Sequence, residues 1–546
     1  MDYGRGMDAR STRSRLSFFA RVVRGMRGAR VAGLAELAAV AILASIVGLG
    51  VTGCGDDGPV CTVPAQSPLP TTGELIHPDQ LMTADACVAG GLADLPGRWF
   101  IRDLGQHFSF SYPLYDGTCA DGLRGPDGAP DDLDDSDGST WMWWTDGTRV
   151  FTRYWRKFEF GGGQFYEYGG ASVLCMKSDG NLAWAWGGYD SDRGLRTGGG
   201  IGTRFAPMDE PARGLALVGA LAERAPGQPI AGYNVVVDGT TAYVVGSGGL
   251  DIVDVSAPAA PRLLASRLGP QRDGFNDVRV VRGGGRVVAF ASPLSGETTS
   301  VFDVTDPAAP VTLAALPEYS HSVQVRVDSA RTLLYLANYE NTVPIYDVTD
   351  PVHPLRIAAP VVPSPSAGIH DLTADGTMIY ANDTTDGLVA IDVSAGLDQP
   401  AVERGRIQTT YSHASWAATI GGRKIVLHGD EGMTPEGGAF MRVLDGDPGS
   451  PTFLRELARW KTRADVGIHN IMVVGTKAYV SYYQDGVRIV ELADPTHPRE
   501  VAHYNTWDPA TAAGDAFEGA VGVRVVGDLI YVADIGKGLV ILRETP

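Results

Sequence analysis

The chain has 546 residues, with 64 Asp and Glu against 45 Lys and Arg, for a formal net charge of −19. That acidic excess argues against nucleic acid or anionic lipid as a ligand, and it is compatible with export and with divalent cations.

In chain order, Arg21 to Arg30 is basic, Val31 to Val51 is mostly apolar, and Val51-Thr-Gly-Cys54 closes the segment. A charged stretch, an apolar core and small residues before a cysteine form the pattern of a bacterial lipoprotein signal over residues 1–53. Cleavage before Cys54 would leave its sulfur and amine to carry acyl chains, which together anchor stably. The alternative is an uncleaved membrane-spanning helix, because the apolar run is about 20 residues long. Against it, Gly55-Asp-Asp-Gly58 follows at once in place of a basic stop-transfer flank. Translation from Met26 would leave an ordinary short basic region. Gly55 stands where an inner-membrane retention Asp is common, so the expected address is the outer membrane or cell surface of a bacterial envelope.

Residues 54–75, with Pro59, Pro64, Pro68 and Pro70, read as a flexible tether. Residues 76–205 read as a small β-rich region holding Trp99, Trp141, Trp143, Trp144, Trp155, Trp184 and Trp186. Clustered tryptophan either fills a small core or makes a sugar-stacking platform. The loop Pro126–Gly138 is acidic enough to hold calcium or simply to be solvated. It departs from the helix-loop-helix calcium pattern, which wants Asp where Leu133 stands. Cys61, Cys87, Cys119 and Cys175 all lie before residue 206. In an exported chain they imply two disulfides, with three pairings open.

From residue 206 to 546 the chain repeats. Asp254-Val-Ser-Ala-Pro-Ala-Ala-Pro261, Asp303-Val-Thr-Asp-Pro-Ala-Ala-Pro310, Asp347-Val-Thr-Asp-Pro-Val-His-Pro354, Leu444-Asp-Gly-Asp-Pro-Gly-Ser-Pro451 and Glu491-Leu-Ala-Asp-Pro-Thr-His-Pro498 are near copies, and Asp392-Val-Ser-Ala395 is degenerate. The anchors at 254, 303, 347, 392, 445 and 491 are 44 to 53 residues apart, a spacing of supersecondary units. Each unit alternates β-rich runs with Gly and Asp turns, and proline ends the third run because it cannot donate to a ladder. Four short strands per unit describe an all-β propeller. First strands beginning near Tyr233, Asn276, His321, His370, His413, His469 and Gly519 predict seven blades, with six or eight as alternatives. The last blade has three strands before the chain ends, so Asp209–Gly219 is expected to supply the fourth and close the ring.

Four successive blades begin with histidine: His321, His370, His413 and His469. Second strands end at the same mouth, at Asn338-Tyr339, Asn382-Asp383, Asp430-Glu431, Tyr482-Tyr483 and Asp534. His321, His370, His413 and His469 with Asp383, Asp430, Glu431 and Asp534 are therefore a candidate channel-mouth site for a ligand or a divalent cation. The alternative is a structural network in which each imidazole satisfies a buried loop carbonyl. No catalytic residue is assigned.

The repeats resemble LVIVD-repeat propellers through Leu250-Asp-Ile-Val-Asp254 and Val487-Arg-Ile-Val-Glu491. Residues 230–543 also resemble the choice-of-anchor B family of extracellular proteins. The matching stretches are Tyr411-Ser-His-Ala-Ser-Trp416, His428-Gly-Asp-Glu431, His469-Asn-Ile-Met-Val473, Tyr482-Tyr-Gln-Asp-Gly-Val-Arg-Ile489 and Val532–Leu542. The resemblance implies an anchored, secreted propeller and no particular reaction. Gly522 departs from it, standing where an aromatic or polar residue is common. Two functions follow as expectations. One is a surface scaffold binding a protein or carbohydrate. The other is a calcium- or zinc-dependent hydrolase, although the chain has no nucleophile elbow, zinc-protease helix motif or phosphate loop.

Overall fold

A computed structural model describes residues 81–91, 98–103, 109–113, 140–145, 148–159, 165–190, 194–204, 208, 210–269, 274–295, 298–328, 330–364, 368–409, 411–432, 439–463, 466–508 and 517–545. The chain divides into two compact units, residues 1–206 with 514–516, and residues 207–513 with 517–546. Among the described residues no helix is long and apolar enough to cross a membrane. Cys54, the tether, the acidic loop, Cys61 and Cys119 lie outside the described residues.

The first unit holds a seven-stranded antiparallel sheet. Its spatial order is Ser109–Pro113, Arg98–Asp103, Gly194–Arg204, Leu182–Asp190, Phe165–Met176, Val150–Glu159 and Thr140–Thr145. Trp186 lies opposite Gly198, and a Cβ at Gly198 would come within 2.6 Å of the indole. The glycine run Gly198-Gly-Gly200 thus leaves room for large rings on the neighbouring strand. Trp184 and Trp186 are buried, as core residues rather than as an exposed stacking face. Of the three pairings open to the cysteines, the structure contains Cys87–Cys175.

The second unit is a seven-bladed propeller. Six blades run in simple order: Gly232–Asp238 to Arg262–Arg267, Phe275–Gly283 to Val311–Leu316, Ser322–Val327 to Leu355–Ala358, Asp371–Asp375 to Val402–Ile407, Ser412–Ile420 to Glu456–Trp460, and Ile471–Val474 to Arg499–Tyr504. Blade 7 has Ala520–Val526, Leu529–Asp534 and Gly538–Glu544, and its outermost strand is Leu215–Leu221. First strands of successive blades pack side by side, and that of blade 7 meets that of blade 1. The segment expected to close the ring in fact serves two blades. Ala212–Arg213 pairs with the outer strand of blade 6 before Gly214, at φ +66°, turns the chain into blade 7.

The repeated motif has a local cause. The carboxylate of Asp254 accepts from the backbone N–H of Ser256, that of Asp303 from Thr305, that of Asp347 from Thr349, that of Asp392 from Ser394, that of Asp445 from Asp447 and that of Glu491 from Ala493. Asp306, Asp350, Asp447 and Asp494 repeat the device one turn later. These side chains supply the partners that a tight turn takes from the ladder. The residue after each anchor, as in Val255, Val304, Val348 and Val393, donates back to the start of the second strand.

The hydrophobic core lies in the wedges between blades. One cluster joins Tyr243 and Val245 to Phe275 and Ala289; another joins Tyr335 and Ile345 to Leu372 and Val389. Two others join blade 6 to blade 7 and blade 7 to blade 1. Each blade buries both faces, so strands carry long apolar runs, and closing the ring removes the sheet face that would otherwise be left open.

Candidate functional site

The four histidines stand side by side. Ring centroids are 3.7 Å apart for His321 and His370, 4.6 Å for His370 and His413, and 4.2 Å for His413 and His469. Each sits at the start of its innermost strand, so equal repeat position becomes spatial adjacency around the ring. His321 Nδ1 lies 3.0 Å from the carbonyl oxygen of His370, His413 Nδ1 2.8 Å from that of His469, and His469 Nδ1 3.0 Å from that of Val521. Three of the imidazoles thus bind the backbone of the next blade. His370 turns back instead, its Nδ1 3.2 Å from the Tyr339 hydroxyl. The carbonyl-satisfying network and the shared mouth are therefore both features of one arrangement.

One acid joins this ring. Glu431 Oε2 is 3.8 Å from His370 Nε2 and 3.9 Å from His413 Nε2. Its Oε1 accepts a hydrogen bond from the Tyr483 hydroxyl. Tyr319 and Tyr339 stack at 5.7 Å, Tyr411 stands edge-on to His370, and Phe517 packs against Tyr483.

The other three carboxylates do not reach the imidazoles. Asp383 accepts from Gly368 N–H at 3.0 Å. Asp430 pairs with Arg442 on the adjacent strand of its own blade. Asp534 caps the following turn through Gly536 and Lys537 N–H, both at 2.8 Å. Sharing a mouth does not mean sharing a side-chain direction. Successive residues of a strand point to opposite faces, so Asp430 and Glu431 part company at the strand end.

Burial and the neighbouring imidazoles push His321 down to about 3, and they hold His370 and His469 well below the usual histidine range. These rings are neutral at pH 7. Burial pushes Asp430 up to about 6, outweighing the Arg442 guanidinium, and it also raises Asp383 and Asp534. His428, against Ser412 at 2.9 Å, is driven well down by burial and by Arg442.

Behind the mouth lies a second polar layer that the sequence reading passed over. Asn234 donates to Asp277, which also accepts from Val323 N–H at 3.0 Å and pairs with Arg279. Ser322 donates to Asp371, whose carboxyl is raised by burial and by Asp277. The legible signal was the residue after five of the mouth positions: Asn234, Asp277, Ser322, Asp371 and Asn470 are polar, whereas Ala414 follows His413. Gly522 occupies this position in blade 7, where a Cβ would come within 2.7 Å of Asn234 Cα. The departure from the family pattern is thus a close approach between blades 7 and 1.

Strand order, ring closure and the inter-blade core define the class, a seven-bladed β-propeller. Three of its blades match the LVIVD-repeat model, over residues 232–267, 468–506 and 519–542. A comparison with curated proteins finds no match. Among solved structures, the computationally designed Ika8 protein is similar at 11% identity, with 60% of this chain and 99% of that chain covered and a TM-score of 0.38. BamB from Moraxella catarrhalis is similar at 14% identity, with 58% and 85% covered and a TM-score of 0.36.

Proposed function

We propose that this protein is a lipid-anchored propeller of the bacterial cell envelope, held through Cys54, that binds a protein or carbohydrate partner at the propeller mouth. The observation that carries the reading is the convergence of His321, His370, His413, His469, Tyr339, Tyr483 and Glu431, from four blades, on one end of the ring. Imidazoles and phenols gathered at one place offer donors, acceptors and flat rings together. The apolar run ending in Cys54, followed by a proline-rich tether, supports the anchor.

Two measurements test this. Cys54→Ser should move the protein from the membrane to the soluble fraction or block its processing; a variant fractionating with lipid like the wild type removes the anchor. A photo-crosslinking residue at exposed Glu340, beside Tyr339, should give an adduct on intact cells that the same residue at Val311, exposed on an outer strand, does not. Equal labelling at both positions overturns binding at the mouth. A metal-dependent hydrolase is the second reading, favoured by the approach of His370 and His413 to Glu431. It requires turnover of an ester or phosphoester that is lost on chelation.

A further inference from the structure

We propose that His370 Nε2, His413 Nε2 and Glu431 Oε2 bind one divalent transition-metal ion of the zinc class. The inference does not depend on the lipid anchor or on a macromolecular partner. One ligand atom from each of the three residues lies within 4.8 Å of those of the other two. Two atoms on a tetrahedral zinc stand about 3.3 Å apart, and the imidazole-to-carboxylate separations here are 3.8 and 3.9 Å. A shift of about half an ångström at the end of the Glu431 side chain brings its two separations from the imidazoles to that value.

Three further features point to an ion. His413 is 2% exposed, and its Nε2 has no hydrogen-bond partner among the described residues. A buried imidazole nitrogen left so is costly unless something coordinates it. The lone pair is on the right atom, because His413 Nδ1 lies 2.8 Å from the His469 carbonyl oxygen. A carbonyl only accepts, so Nδ1 carries the hydrogen and Nε2 is the ring atom left to ligate. The carboxylate is oriented as well, since the Tyr483 hydroxyl donates to Oε1 and leaves Oε2 toward the imidazoles. Outer partners of this kind commonly fix metal-ligating His and Glu.

The donor set selects the metal. Two imidazoles and one carboxylate suit zinc, or iron and manganese in the same charge state. Calcium wants six to eight oxygens, so the set speaks against the calcium form of the sequence expectation. Three protein ligands leave one position of a tetrahedral ion for water or for a group on a bound partner.

The test uses the full-length protein in detergent, stripped with chelator and dialysed against Zn²⁺. Elemental analysis should find about one zinc per chain, and Co²⁺ substitution should give the visible d–d absorption of a low-coordinate ion. Glu431→Gln and His413→Gln should each weaken zinc at least a hundredfold with a folded circular-dichroism spectrum. Should either fail to fold, Tyr483→Phe, which removes only a hydroxyl, is expected to weaken zinc about tenfold. Wild-type protein that retains no stoichiometric zinc and gives only octahedral Co²⁺ overturns the site. So does a folded Glu431→Gln or Tyr483→Phe variant that binds zinc as the wild type does. Partner crosslinking at Glu340 is read separately, so loss of one result leaves the other standing.

Discussion

His413 Nδ1 and the backbone carbonyl oxygen of His469, the matching residue one blade on, are 2.8 Å apart. His321 holds the carbonyl of His370 in the same way, at 3.0 Å. These bonds tie inner strands together where no ladder joins them. His321→Leu leaves the His370 carbonyl without its imidazole, so it should cost about 1–3 kcal/mol. Urea unfolding measures it; an unchanged midpoint would mean that water takes over the carbonyl at no cost.

Ring closure rests on Leu215–Leu221 pairing with Gly538–Glu544. A chain lacking residues 1–220 should therefore expose the edge of blade 7 and aggregate or melt without cooperativity. Gly219 is the point variant of the same test. A Cβ there would come within 2.3 Å of the Pro258 carbonyl oxygen, so Gly219→Val should lower the melting temperature. A soluble 221–546 fragment that melts like the parent would show that the ring closes without this strand.

Glycine opens the third strand in four blades: Gly249, Gly387, Gly486 and Gly538, at φ +108°, +83°, +72° and +67°. At each, a Cβ would strike a carbonyl oxygen at or just beyond the end of the fourth strand, at 2.0 Å from Ile407 for Gly387. Gly387→Ala combines a disfavoured backbone with that clash and should destabilise by at least about 2 kcal/mol. Gly376, also at positive φ but with no atom near its Cβ position, is the control and should cost less. Equal losses at the two sites would assign the effect to backbone conformation alone.

The fold was legible because each repeat writes its own turn. Asp303, Asp306 and Pro307 name a hydrogen-bonding pattern that needs no tertiary context, and six such signals space the blades. Closure was legible in outline from the incomplete last blade. The handover at Gly214 was not, because a two-residue strand leaves no periodicity. The histidine ring was legible for the same reason as the blades, since equal repeat position becomes adjacency. The carboxylates were only half legible. Sequence places Asp430 and Glu431 at one strand end, but the buried Arg442 that draws Asp430 away sits twelve residues on, in the neighbouring strand. Orientation at a strand end depends on such partners, and no repeat encodes it.

The same inter-blade position that carries the core also sets an alkaline limit. Tyr243, Tyr335, Tyr380, Tyr479 and Tyr531 recur on second strands, each buried against the next blade. Burial, with help from Asp238, pushes Tyr243 up to about 12, and burial also raises the other four. In the unfolded chain a tyrosine ionises near pH 10, so between about 10 and 12 the folded state holds more protons than the unfolded one. Stability is then full below about pH 10 and falls as pH rises through that window. Urea midpoints should be level to about pH 10 and then drop. Tyr243→Phe should make the decline shallower. A Tyr243→Phe variant whose midpoints fall with pH as steeply as the wild type's would show that this phenol does not limit the propeller.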